Sequence, residues 1–125
     1  RELYAHPASL GVARMTGPAF ALEAVARGDR AETALGSLAL HTRQEDGLKG
    51  IVCLRPEEIE LLGVTSPLQA TAIRSTFIAG RWRIAFQLGQ TPLWTWSDRP
   101  RDPGEVLNLR LGPSAFIPQE INRSA

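Results

Sequence analysis

Between Arg81 and Leu88 the chain alternates large apolar and polar residues: Trp82, Ile84, Phe86 and Leu88 fall on one face of a pleat, Arg81, Arg83 and Gln87 on the other. This stretch constrains the fold more than any other. A slip of one residue in its pairing would expose four large side chains, at about 1.5 to 3 kcal/mol each, a total comparable with the whole stability of a domain, about 5 to 15 kcal/mol. Gly89-Gln90 then turns the chain into Leu93–Ser97, so a hairpin of fixed register is expected.

The same reading extends in both directions. Leu68–Ile78 carries β-branched Thr71, Ile73, Thr76 and Ile78 before Gly80 and reads as a strand. After the turn at Asp102-Pro103-Gly104, Leu107, Leu109 and Leu111 alternate with Val106, Asn108 and Arg110, and Ala115–Ile117 is the last expected strand. Upstream, Ile51–Leu54 is a compact apolar run stopped by Pro56, which has no N–H to give a ladder. Leu38 and Leu40 alternate with Ala39 and His41, and Thr42–Gly50 reads as a loop. Phe20–Arg27 has helix-favouring composition, but Gly28-Asp29 interrupts it, so short strands separated by turns are expected from Phe20 to His41. At the amino end Leu10, Val12, Ala13 and Met15 before Gly17-Pro18 read as a short helix. Many short strands without long intervening helices indicate an all-β chain, a small OB-like β-barrel with a short N-terminal helix. The expected organisation is a helical connector at 1–17, the barrel at 18–118 and a polar tail at 119–125, with a looser division between Pro56 and Pro67 also open.

The chemistry narrows by elimination. A chain of 125 residues suits one compact domain, and with 14 Lys and Arg against 13 Asp and Glu its net charge of +1 creates no long-range field for nucleic acid or anionic lipid. Nucleotide hydrolysis needs a glycine loop ending in a lysine; the only lysine, Lys49, stands between Leu48 and Gly50, outside any such loop. Cys53 is the only cysteine and reads as a small buried apolar residue; His6 and His41 lie in separate segments with no ligand spacing. No catalytic or metal-binding residue and no cofactor of the chain's own is expected. Glu57, Glu58 and Glu60 after Arg55-Pro56 read as a solvated turn or the first turn of a helix. Trp94 and Trp96 share a face that sequence cannot assign and, with Trp82, Arg81, Arg83 and Arg99, raise the alternative of a single-stranded nucleic-acid binder.

Two segments carry a family resemblance. Glu2-Leu3-Tyr4-Ala5-His6-Pro7-Ala8-Ser9, with Val12-Ala13-Arg14 and Gly17-Pro18, resembles the segment that follows the ATPase core in the ATP-binding subunits of bacterial ABC importers. Ile51-Val52-Cys53-Leu54-Arg55-Pro56-Glu57 resembles the strand ending in Arg-Pro-Glu in their carboxy-terminal, transport-associated OB domain. The resemblance implies a non-catalytic regulatory and dimerisation domain of an importer for ferric iron, polyamine or a similar solute, with ATP and magnesium handled in a missing upstream domain. It implies as partners the ATPase domain of the same chain, a second copy of the subunit and, indirectly, membrane permease subunits, with no nucleic acid. It also implies a cytoplasmic location on the inner face of the plasma membrane. Carried over by position, Arg55, Pro56 and Glu57 would brace the barrel and reach an interface; Trp94 and Trp96 are contact-surface candidates by their own chemistry. The related alternative is an oxyanion-binding domain of the molybdate type, although the Ser-Ala-Arg-Asn stretch expected of that class is not in the chain.

Overall fold

The computed structural model describes residues 18–119. The expected N-terminal helix, all of the 1–17 connector and most of the polar tail lie outside those residues. Nine strands are described: β1 (Phe20–Thr33), β2 (Gly36–Gln44), β3 (Lys49–Leu54), β4 (Ile59–Leu62), β5 (Leu68–Ile78), β6 (Arg81–Leu88), β7 (Thr91–Ser97), β8 (Val106–Leu111) and β9 (Ala115–Pro118). The one helical turn among them is a 3-10 turn at Pro56–Glu58. The described residues are thus all-β, as the alternation and turn spacing require. The chain divides into two compact units, one up to Arg55 with the segment from Pro113, the other Pro56–Gly112.

In the first unit the strand order is β2-β1-β3-β9. β1 is long enough to serve two partners: Phe20–Val25 pairs with β3, and Gly28–Thr33 with β2. The sheet curls until β2 meets β9, where the His41 N–H donates to the Ser114 carbonyl at 2.9 Å and the Ser114 N–H to the Ala39 carbonyl at 3.0 Å. Gly28-Asp29 does not interrupt the strand, contrary to the expectation of short pieces. It sits at a bulge, with Gly28 at φ 70°, where the pairing register shifts between Gly28 and Arg30. Inward parity changes across the shift, so Leu22, Ala24 and Ala26 face the core before it and Ala31 after it. The loop expected at Thr42–Gly50 is also shorter, because β2 runs to Gln44 and β3 starts at Lys49.

The second unit has the order β4-β8-β5-β6-β7, all antiparallel. Ile84, Phe86 and Leu88 of β6, Leu93 of β7, Leu107 and Leu109 of β8 and Ile59 of β4 form its core. Strand β4 is absent from the sequence expectations: only Ile59 of Ile59-Glu60-Leu61-Leu62 is buried, and four residues are too few for alternation to register. Its place is fixed by pairing with β8 and by Thr95, whose buried hydroxyl lies 2.8 Å from the Pro56 carbonyl and 2.7 Å from the Ile59 carbonyl. One proton can serve only one of these acceptors at a time. β5 contains a second bulge, between Ala72 and Arg74. The tight β5–β6 turn puts both Ala79 and Gly80 at positive φ, 51° and 90°, the primed-turn geometry that suits two twisted antiparallel strands.

Candidate functional site

The outer face of β5, β6 and β7 gathers tryptophan and arginine side chains from neighbouring strands. Leu93 and Thr95 are buried, so the pleat turns Trp94 and Trp96 to the opposite face, which answers the question their sequence spacing left open. The register brings Trp94 beside Ala85 and Trp96 beside Arg83, with Thr76 and Ile78 beyond them opposite Arg83 and Arg81. The two indoles meet edge to face at 5.0 Å between centroids. The Arg81 guanidinium lies 3.6 Å from the centre of the Trp96 ring and that of Arg83 4.3 Å from the centre of Trp94, distances at which the cation is attracted by the ring quadrupole.

Arg74 joins them through the bulge in β5. Inward parity set by Ala70 and Ala72 would carry the next even-numbered residue into the core; instead Ile73 is the extra residue, and Arg74 pairs with outward-facing Ala85. Sequence reading did not single out Arg74. The available signal was a charged residue at a position where alternation called for an apolar one. Among the described residues the ion pairs join Arg27 to Glu32, Arg99 and Arg101 to Glu105, and Arg110 to Glu60; none involves Arg74, Arg81 or Arg83. The face therefore presents three guanidinium groups with no carboxylate against them.

Arg99, grouped with the tryptophans in the sequence, is engaged elsewhere. It and Arg101 flank Glu105, whose carboxylate also accepts the Asp102 backbone N–H at 3.0 Å. That hydrogen bond first, and the two arginines after it, hold the Glu105 carboxyl below the ordinary carboxylate range, against the opposing effect of desolvation.

Beyond Trp96 an open recess of 380 Å³ is lined by Glu57, Glu60, Asp98 and Arg101. The Trp96 Nε1–H and Arg101 Nε–H are both buried and have no acceptor among the protein atoms. The carboxylates make this recess a poor host for an anion, and no group of three His, Cys, Asp or Glu among the described residues could hold a metal ion. A second recess of 760 Å³, in the first unit, is lined by Glu23, Glu32, Lys49 and the strand backbone around Gly50, a mixed-charge surface without a convergent set of donors.

The remaining residues singled out from sequence fall outside this face. Arg55 is 1% exposed and donates through Nη1 to the Pro18 carbonyl at 3.4 Å. Pro56 is buried and opens the 3-10 turn, and Glu57 is exposed in that turn. Cys53 is buried in a small cluster with Ala115 and Ile117, and His41 is exposed. Trp82 is half-buried at the end of its hairpin, its ring 5.1 Å from that of Phe77. No helix among the described residues is long and apolar enough to cross a membrane.

No family model matches the chain. Among solved structures it is similar to that of ModG, a cytoplasmic molybdate-binding protein, in a crystal form with molybdate bound. The TM-score is 0.59 at 13% sequence identity, over 78% of this chain and 93% of that one. At that identity the likeness is one of fold, and it places the chain in the OB-like class that the strand pattern requires.

Proposed function

We propose that this chain is a non-catalytic binding domain of the transport-associated OB type, and that its ligand is an oxyanion of the molybdate class taken up on the arginine-bearing face of β5, β6 and β7. The observation that carries this reading is the set of three guanidinium groups, Arg74, Arg81 and Arg83, on one face with no carboxylate paired to them among the described residues. Guanidinium is always charged and offers five N–H donors in a planar fork that matches the oxygens of a tetrahedral or carboxylate anion. Contact with Trp96 and Trp94 restrains the Arg81 and Arg83 side chains, so less side-chain entropy is lost when an anion arrives. The fold it shares with a molybdate-binding protein supports the ligand class. Because the chain has no Ser-Ala-Arg-Asn stretch, its contacts are assigned to the arginines.

Binding on such a face requires no proton transfer and no bond making, which accords with the lack of a nucleophile–base pair in the sequence. Titration calorimetry with molybdate, sulfate and phosphate tests the reading. Saturable heat with one of them, lost in the double variant Arg81→Gln with Arg83→Gln, is the expected result; no heat with any of the three rules it out.

A second reading, as a regulatory and dimerisation domain of an importer's ATP-binding subunit, draws on Arg55-Pro56-Glu57. There the strand ends in a buried arginine and an exposed glutamate, which suits a segment braced on one side and available on the other. This reading assigns the partners to an upstream ATPase domain, a second subunit and the permease, at the inner face of the plasma membrane. Sedimentation of the chain, alone and joined to the ATPase domain, separates the two: a dimer weakened by Glu57→Lys favours the importer reading, and a monomer in both forms removes it.

A further inference from the structure

We propose that the Arg74–Arg81–Arg83 face docks an extended acidic segment of another protein, one with carboxylates at every second residue. The inference rests on the reading above only in taking that face to bind oxygen anions, and goes beyond it by identifying a polypeptide as the partner.

Spacing is the first argument. Arg81 and Arg83 are two residues apart on one strand, so their Cα atoms stand about 6.6 Å from each other, and alternate side chains of any extended partner repeat at that same interval. Arginines repeating at this Cα interval match carboxylates repeating at the same interval on an extended chain laid along β6. Arg74, opposite Ala85 on the neighbouring strand, adds a third positive charge beside this row.

The rings supply the second argument, because they decide between a peptide and a single-stranded nucleic acid. A nucleic-acid platform needs open aromatic faces for bases to stack on. Here a guanidinium group lies over each indole, 3.6 and 4.3 Å from the ring centres, and the two rings meet edge to face. The guanidinium groups over the rings are charged hydrogen-bond donors, the chemistry of carboxylate recognition.

Extent is the third argument. The positive row ends at Trp96, beyond which Glu57, Glu60 and Asp98 line the recess. A long polyanion crossing the face would run into those carboxylates, while a segment carrying two or three acidic residues would stop short of them. Charge complementarity therefore selects a short acidic stretch.

The test is fluorescence anisotropy of a short labelled peptide alternating Glu and Thr, added to the full chain at low salt. Beside it run an isomer with its Glu residues in one block and an oligothymidylate. The expected result is binding of the alternating peptide about tenfold tighter than the block isomer, weakened about tenfold in the double variant Arg81→Gln with Arg83→Gln. Arg83→Lys should also weaken it, since lysine keeps the charge but loses the fork and the stacking. Thermal melts of the variants, with midpoints equal to that of the parent, confirm that the loss is of binding. Equal affinity for the two peptides, indifference to the arginine substitutions, or tighter binding of the oligothymidylate would overturn the proposal. Molybdate calorimetry is a separate arm: molybdate binding without a preference for the alternating peptide overturns the docking proposal alone. Peptide binding without molybdate binding supports docking and removes the free-oxyanion reading.

Discussion

Gly50 lies where three strands meet, paired with Ala24 of β1 on one side and Pro118 of β9 on the other, and Gly50→Ala tests how closely that sheet is drawn together. A Cβ added there would stand 2.6 Å from Phe116 Cζ and 2.9 Å from its Cε2, and still nearer the Ile117 carbonyl oxygen. Carbon atoms pack at about 3.5 to 4.0 Å, so roughly 1 Å must be recovered. Phe116 can yield by rotating, but the Ile117 carbonyl is backbone of the neighbouring strand and moves only if β3 and β9 separate. Overpacking a well-filled site costs about 1 to 3 kcal/mol, and an obstruction by backbone belongs at the upper end. For a chain of this size that lowers the melting temperature by roughly 10 °C. Circular dichroism is the assay, since it reads the strands of this unit, whereas Trp82, Trp94 and Trp96 all lie in the other. Phe116→Leu in the same chain should recover part of the loss and no more, because it relieves the ring contact and leaves the carbonyl. Gly63→Ala, with no atom within 4 Å of its added Cβ, is the control and should stay within about 0.5 kcal/mol of the parent. A melting point for Gly50→Ala within about 2 °C of the parent would refute the reasoning.

Thr95→Val keeps the shape of a buried side chain but removes the hydroxyl facing the Pro56 and Ile59 carbonyls, and should cost about 1 to 3 kcal/mol in urea unfolding followed by tryptophan fluorescence. An unchanged midpoint would mean that those carbonyls are satisfied otherwise. The lowered Glu105 carboxyl stabilises the Asp102–Glu105 turn once it is ionised. That contribution is present above the unfolded-state value for glutamate and disappears as pH falls through the lower folded-state value. Carboxyl NMR should place the Glu105 midpoint below the ordinary glutamate value, and Arg99→Gln with Arg101→Gln should move it upward; a midpoint at the ordinary value would contradict the assignment.

How far the sequence could be read depended on whether a residue's neighbours along the chain fixed its face. The bounds of β5 and β6 were legible to the residue, because Gly80 and Gly89 follow them, and the alternation of Trp82, Ile84, Phe86 and Leu88 sets the face of β6. The hairpins, the turn at Asp102–Gly104 and the strand that stops before Pro56 likewise follow from local chemistry. β1 was not legible as one strand, since its bulge at Gly28–Arg30 looks in sequence like a break and reveals itself only through pairing with β2. β4 has no local signature at all and exists because β8 offers it a ladder and Thr95 caps its entry.

The candidate site divides in the same way. That Arg81 and Arg83 share a face was determined by the sequence, since two residues an even distance apart on a strand must do so. That Trp94 and Trp96 lie on that same outward face was decided by tertiary structure, through the pairing that buries Leu93 and Thr95. Arg74 reached it only because a bulge shifted the parity of β5. A strand's own alternation says which residues travel together; which side they travel to is fixed by the neighbouring strands, and those come from distant parts of the chain.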